Sequence, residues 1–439
     1  MSDVTIPTSE SAQLDCPACK ASITYYDVEG SEYYACPECR SFFRYLGEEP
    51  PKIYGKYSGK PGEITLKLLP IGTQGVLYGQ LCRVVGCTER AEVGKAGRPQ
   101  YQWLEYQVFY PATKEYVQLA VYNGHWMVVR PAKRTYQVHS AQTRRAQVTQ
   151  PDATYKLYNR YKARVWFAVG EFDWNIEGDD QTLISEFICP PRMLVEEKTS
   201  RASTWYHAAH IEPYEVAKAF NLRLSDLPAQ VGVGAVQPDP ARATWTALLR
   251  LTGVVVSLLV MAQLLLVIMR PSRILLQETL HIVTDSAAAP GTGRVIVSPS
   301  FTLARQSAVQ IDFTTTLSNQ WVELPVSLVN EQTGQGFEFT KNIEFYSGVE
   351  SGESWSEGSR EANAVLSAVP AGRYHLNFYP LTEAGSAPDI QVRVEADPPL
   401  MANFFLVLVL VLIYPVWQCW RSSKHETLRW NESDYGPSE

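Results

Sequence analysis

The strongest chemistry in the sequence lies in two Cys-x-x-Cys pairs. Cys16-Pro-Ala-Cys19 is followed, after sixteen residues, by Cys36-Pro-Glu-Cys39. Two such knuckles at this separation bring four thiolates around one tetrahedral ion, which points to a structural Zn²⁺, one per chain. All four ligand positions come from protein, so the ion has no open coordination site for catalysis. Ile23-Thr-Tyr-Tyr and Tyr33-Tyr34-Ala35 alternate between the knuckles as the strands of a small hairpin would, and the whole resembles a zinc ribbon. So small a unit is expected to take most of its folding energy from the metal.

Other residues offer weaker chemistry. His207 and His210 could bind a metal together with Glu212 or Cys189, but no spacing fixes a third ligand, so surface or interface histidines are the simpler reading. Glu171 and Asp173, beside Trp174, could act as an acid and a base, yet carboxylates next to a strand turn are ordinarily just solvated. The sequence contains no phosphate-binding GxxxxGK[ST], no GxGxxG, no HExxH and no GxSxG. We therefore assign no catalytic and no cofactor-binding residues, and the metal ligands are Cys16, Cys19, Cys36 and Cys39. Lys20, Arg40 and Arg44 could touch nucleic acid, but Glu29, Glu32, Glu38, Glu48 and Glu49 surround them and the net charge is −7. Nucleic acid is not an expected partner.

These residues must be held by several units, since 439 residues exceed one ordinary domain. Hydrophobic residues make up 45% and charged ones 19%, enough for real cores. Met1 to Asp15 is polar and lacks the basic and apolar regions of a secretory signal, so the chain is expected to start in the cytoplasm. The cysteines outside the ribbon, Cys82, Cys87, Cys189 and Cys419, show no disulfide-framework spacing.

From Gly62 to Ala219 short alternating segments are broken by Gly and Pro turns, as in a β-domain. Arg83-Val-Val-Gly86, Glu105-Tyr106 and Trp126 are echoed by Arg164 to Gly170, Glu186-Phe187 and Trp205, which suggests an internal duplication. Gly72, Gly75 and Gly79, Trp103-Leu-Glu105-Tyr106, Gly124-His125-Trp126 and Gly170-Glu-Phe-Asp-Trp174 together make residues of about 60–220 resemble a bacterial family known as domain of unknown function 4178. That resemblance implies an N-terminal ribbon and a C-terminal two-span membrane region, and carries no catalytic residues with it. Pro213 is placed to open a short helix, and Gln230 to Pro240, rich in Gly and Pro, reads as a linker.

Leu251 to Met269 and Leu400 to Trp417 are uncharged apolar runs long enough to cross a bilayer. Gln263 in the first could hydrogen-bond the second helix or a partner. Arg421, Lys424 and Arg429 follow the second run, which puts the tail in the cytoplasm by the positive-inside rule. Residues of about 270–399 then lie outside, and their strands at even spacing suggest a β-sandwich.

The expected architecture is thus mainly β, a multidomain membrane protein: a disordered N-terminus (1–15), zinc ribbon (16–48), duplicated small β-barrel or sheet module (60–222), linker (228–243), transmembrane helices (245–269 and 400–420) flanking an extracytoplasmic β-sandwich (275–397), and a cytoplasmic tail (421–439). The expected location is the bacterial inner membrane. The expected role is a non-enzymatic scaffold, adaptor or sensor in a membrane complex, binding other proteins through Trp103, Trp126 and Trp174 or β-edges, with a homo-oligomer as a further expectation. The alternative is an enzyme or enzyme subunit with its site near His125, Glu171 or His207.

Overall fold

A computed structural model of the protein describes residues 11–47, 49–57, 68–93, 99–177, 182–199, 202–283, 287, 289–399 and 401–436. The chain forms two compact units, Met1–Trp245 with Trp417–Glu439, and Thr246–Val416.

In the first unit β1 (Ala12–Asp15) pairs with β2 (Ser22–Tyr25). The expectation of a disordered leader over 1–15 is corrected here for residues 12–15; residues 1–10 lie outside the described residues. β3 (Tyr33–Ala35), β4 (Ser41–Arg44) and β5 (Lys52–Lys56) complete the ribbon. Ile23, Tyr25, Tyr34 and Phe43 form a small buried cluster beside Cys16 and Cys36. The ribbon therefore has a small apolar core of its own, which the sequence, read as too short a unit to form one, did not suggest.

Strands β6 (Gln74–Leu77), β7 (Gln80–Val93), β8 (Pro99–Tyr110), β9 (Glu115–Tyr122) and β10 (His125–Pro131) make one antiparallel meander; β11 (Gln147–Thr149), β12 (Thr154–Phe172), β13 (Leu183–Cys189), β14 (Arg192–Lys198) and β15 (Ser203–Ile211) make another. β10 pairs with β15 and β7 with β12, so β7–β10 and β12–β15 close into an eight-stranded barrel. β3 pairs with the far end of β12, which makes the ribbon an extension of the barrel sheet.

The suspected duplication has a structural counterpart. Gly86 of β7 pairs directly with Gly170 of β12, and Trp126 and Trp205 occupy matching places in β10 and β15. Tyr106 stacks on Trp126 with centroids 6.1 Å apart, and Phe187 stacks on Trp205 at 5.9 Å. The same aromatic pair is thus used once in each half, on the outer face.

Those outer faces are covered. Tyr106, Val108, Leu119 and Trp126 share a core with Val216 and Phe220 of helix α1 (Pro213–Ala219) and its C-terminal cap. Phe187, Leu194 and Trp205 pack beneath Ala146 and Val148. Apolar side chains therefore sit mostly outside the barrel wall, beneath flanking segments.

Helix α2 (Pro240–Met269) and helix α3 (Met401–Asn431) are each long and apolar enough to cross a membrane. Their most apolar stretches are almost entirely exposed. Within the second unit Gln263 Nε2 donates to Met401 Sδ at 3.4 Å, joining the two helices as the sequence suggested.

Also in that unit, β16 (Arg273–His281), β19 (Ser307–Thr315), β23 (Glu361–Val369) and β26 (Asp389–Ala396) form a sheet in the order β16-β26-β19-β23. The second sheet runs β17 (Ile296–Val297), β24 (Gly372–Phe378), β20 (Gln320–Asn330), β21 (Gly336–Glu350), β22 (Glu353–Ser359), with β18 (Phe301–Leu303) and β25 (Leu381–Thr382) at its margins. Ile311, Phe313 and Val392 from one sheet and Leu324, Leu376 and Phe378 from the other fill a common core, giving the expected sandwich.

The expected linker over 228–243 is corrected, and the tail has a packed structure. Residues 230–239 fold onto the barrel, and α3 continues past its apolar part to Asn431 and packs there too. Arg429 is 0% exposed and donates to the carbonyls of Gly234 (2.9 Å), Ala235 (2.8 Å) and Gln237 (2.6 Å). Tyr158 Oη donates to the Arg429 carbonyl at 2.8 Å, and its ring lies 5.5 Å from that of Trp430. Arg429, counted in the sequence among cytoplasmic charges, is thus spent on protein carbonyls; its chain length and five donors suit that task.

Two outcomes follow. Arg429→Met should strand three carbonyls and cost about 2–4 kcal/mol, seen as faster hydrogen exchange at residues 230–237 and 425–435 with the outer sandwich unaffected. Gly170 has φ +100°, and a Cβ there would lie 2.3 Å from the Val85 carbonyl oxygen. Gly170→Ala should therefore destabilise the first unit by about 3 kcal/mol or more, measured by thermal unfolding; an unchanged transition would contradict the tight seam.

Candidate functional site

The four cysteines converge. Their sulfurs lie within 4.8 Å of one another, with Cys16 to Cys39 at 3.6 Å and Cys19 to Cys36 at 3.7 Å. Sulfurs sharing one tetrahedral ion at metal–sulfur bonds of about 2.3 Å stand about 3.8 Å apart, so the cage fits such an ion. The two knuckles are built alike. The Cys16 amide takes the Ala21 carbonyl and the Lys20 amide the Cys16 carbonyl; Cys36, Ser41 and Arg40 repeat that pattern. Lys20 (φ +66°) and Arg40 (φ +62°) hold the same left-handed turn. Arg44 is paired with Glu32 at 2.6 Å, which leaves less positive surface for nucleic acid than the sequence offered.

The second site is the barrel lumen, a cavity of about 300 Å³. Strand alternation selects its lining: Trp103 and Glu105 on β8, Glu186 on β13, Glu197 on β14 and Tyr206 on β15 point inward while their neighbours face the outer cores. Arg90 on β7 donates to Glu197 Oε1 at 2.7 Å and lies 3.6 Å from Glu105 Oε1. Trp103 Nε1 donates to Glu105 Oε1 at 2.8 Å, and Tyr161 Oη to Glu186 Oε1 at 2.7 Å. Glu105 and Glu186 occupy the matching positions of the two halves.

Burial pushes the Glu186 carboxyl up to about 7, against the Tyr161 hydrogen bond. Burial also raises Glu105, outweighing the nearby Arg90. One end of the cavity is lined by residues 233–237, and Asn431, Glu432, Ser433 and Asp434, at and just beyond the end of α3, join the lining.

The remaining sequence candidates fall elsewhere or do different work. His207 and His210, three residues apart on β15, face opposite sides. His207 is exposed and its Nε2 shares a hydrogen bond with Tyr136 Oη at 2.7 Å; His210 has a side chain only 3% exposed, with Nε2 3.1 Å from Glu212 Oε1 at an angle too poor for a hydrogen bond. They cannot form a joint metal site, and Cys189 packs in the outer core. Glu171 accepts from the backbone N–H groups of Tyr26 (2.8 Å) and Asp27 (3.3 Å), tying the ribbon to the barrel, and burial pushes it up to about 7. Asp173 accepts from Gln107 Nε2 at 2.7 Å. His125 donates from Nε2 to the Val231 carbonyl at 3.1 Å, and burial lowers its pKa. Trp126 is wholly buried and Trp103 and Trp174 half-buried, so none is the open docking aromatic that the sequence allowed.

Sequence reasoning missed the lumen. Glu105 and Glu186 stand in the sequence only as markers of duplication, and Arg90, Tyr161 and Glu197 carry no signal there; the usable signal was a lone carboxylate set among apolar and aromatic strand residues, Glu105 on β8 and Glu186 on β13.

No curated protein sequence matches the chain. Solved structures that match include PNGF-II, at 8% identity over 72% of this chain and 68% of that one, TM-score 0.19. A structure of the infectious bursal disease virus Gt strain matches at 8% identity over 88% and 69%, TM-score 0.17. Carbohydrate-binding modules of a β-sandwich superfamily match at 6% identity over 61% and 89%, TM-score 0.14. At such scores they say nothing about fold or function. Residues 70–213, from the loop before β6 to the first residue of α1, match the family described as Domain of unknown function (DUF4178).

Proposed function

We propose that the protein is a non-enzymatic, membrane-anchored sensor whose barrel binds a small molecule and whose C-terminal segment reports the occupancy to a membrane complex. The observation that carries this reading is that residues 431–434, at the end of α3, line the same cavity as Glu105 and Glu186. A ligand in the lumen would touch the end of a helix whose other part is apolar enough to cross a bilayer. Its position can then bias that helix directly, which is what a receptor requires.

Other features support the reading. Eight strands enclose a lumen just wide enough for side chains or one small ligand. Residues 1–245 and 417–439 share one compact unit, as two membrane crossings that return the chain to its starting side would require. With Arg421 and Lys424 beside the second crossing, that side is the cytoplasm and the sandwich lies outside, in the bacterial inner membrane. The ribbon holds a structural zinc and, with β5 as the edge strand of its sheet among the described residues, offers a surface for a protein partner.

Native mass spectrometry of the full chain released from nanodiscs should show about one zinc per chain and a bound small molecule. Cys36→Ser should lose the zinc and loosen residues 12–45, whereas His207→Ala with His210→Ala should keep it. Ala120→Trp, which fills the lumen from β9, should abolish the small-molecule adduct, spare the zinc and change hydrogen exchange at residues 425–435. A chain that carries only metal, with a C-terminal segment indifferent to Ala120→Trp, would overturn the sensor reading.

A further inference from the structure

If the barrel is a receptor, as proposed above, its lining also specifies the class of molecule it takes. Six carboxylates line the cavity, those of Glu92, Glu105, Glu186, Glu197, Glu432 and Asp434, against one guanidinium, that of Arg90, and no lysine. Arg90 is already committed to Glu197 and Glu105. Glu186 has only a neutral phenol, Tyr161, as its hydrogen-bond donor. Charge inside the wall is therefore left unbalanced on the negative side.

One atom makes the deficit specific. Glu105 is 8% exposed, and its Oε2 is buried with no hydrogen-bond partner. A buried carboxylate oxygen left unpaired is costly, and proteins ordinarily satisfy it. Arg90 Nε and the His210 ring nitrogens are also buried in this wall without partners, yet none of them bonds to Glu105 Oε2, which belongs to a residue lining a cavity large enough for a ligand. The aromatic part of the lining suits the same guest. Trp103 and Tyr161 meet edge to face with centroids 5.6 Å apart, and Arg90 already lies over Trp103 at 5.9 Å. Rings of this kind favour cations over neutral or anionic groups.

We infer that the lumen binds a small organic cation, an amine or quaternary ammonium group seated among Glu105, Glu186, Trp103 and Tyr161. Its N–H or N–CH groups approach Glu105 Oε2, its charge answers Glu186, and its alkyl portion rests on the rings. Burial raises the pKa of both Glu186 and Glu105, at Glu105 in spite of Arg90, and a cation seated beside them would offset that burial. A bare metal ion is the poorer guest. Among the described residues the clusters able to hold one are the four cysteines and Asp239 with His425 and Glu426, and neither lies in the lumen. An anion would meet the carboxylates, and an apolar guest would leave Glu105 Oε2 unpaired.

The test is isothermal titration of the full chain in nanodiscs, stripped of any bound molecule, with four probes: cadaverine, tetraethylammonium, pentanediol and glutarate. At least one of the two cations should bind saturably and neither the diol nor the diacid should compete. Glu105→Gln and Glu186→Gln should each weaken cation binding by about tenfold or more, as expected on losing a charge-assisted contact, with unfolding temperature kept within a few degrees. Binding of pentanediol or glutarate as tight as that of the cations would overturn the assignment. So would cation binding unchanged in the Glu105→Gln, Glu186→Gln double variant. If no probe binds while native mass spectrometry still shows an adduct lost in Ala120→Trp, the ligand class is wrong and the sensor reading stands; loss of that adduct result as well would remove both.

Discussion

Everything in the first unit depends on one close approach, where β7 meets β12 at Gly86 and Gly170. Without it the two meanders would be an open sheet with two free edges, and edges invite pairing with other chains. The approach is so tight that any side chain at Gly170 would strike the opposite backbone. Beyond the seam β12 runs on to pair with β3, so the same strand closes the barrel and anchors the ribbon. Glu171, next to Gly170, fastens the ribbon from the other side by accepting two of its backbone N–H groups. The four-cysteine cage is therefore positioned by the barrel as well as by its own knuckles.

Closure also explains the unusual polarity of the wall. A small barrel normally fills its interior with apolar residues. Here the apolar cores lie outside, under α1 on one half and under the segment around β11 on the other. Stability does not have to come from the lumen. The inner face is free to carry Arg90, Glu105, Glu186 and Glu197, a set that would be prohibitive in a packed core.

The parts legible in the sequence were those whose physics is local. Four cysteines at knuckle spacing define a cage whatever surrounds them, and uncharged runs of membrane length declare themselves. Alternation located most strands of the sandwich, and repeated glycine, glutamate and tryptophan positions hinted at the doubled barrel. The lumen was illegible because period-two alternation says which residues share a face and not which face is inside. Charged and aromatic residues on one side of a strand read as solvated, and only closure turns that side inward. Arg429 was misread for a related reason: a positive charge after an apolar run looks like a membrane flank, and nothing local shows that three carbonyls from residues 234–237 await it. The histidine pair failed by parity, since three residues along a strand reverse the face.

The first unit is discontinuous: its last pieces, Arg429, Trp430 and residues 431–434, come after the sandwich in chain order, at and just beyond the end of the second apolar helix. During synthesis the barrel strands emerge early, yet their end stays open until the rest of the chain has been made and the second apolar helix placed. The Arg429 side chain that the carbonyls of residues 234, 235 and 237 accept from is made only at that late stage. Completion of the lumen therefore waits on residues 431–434, the last of its lining in chain order.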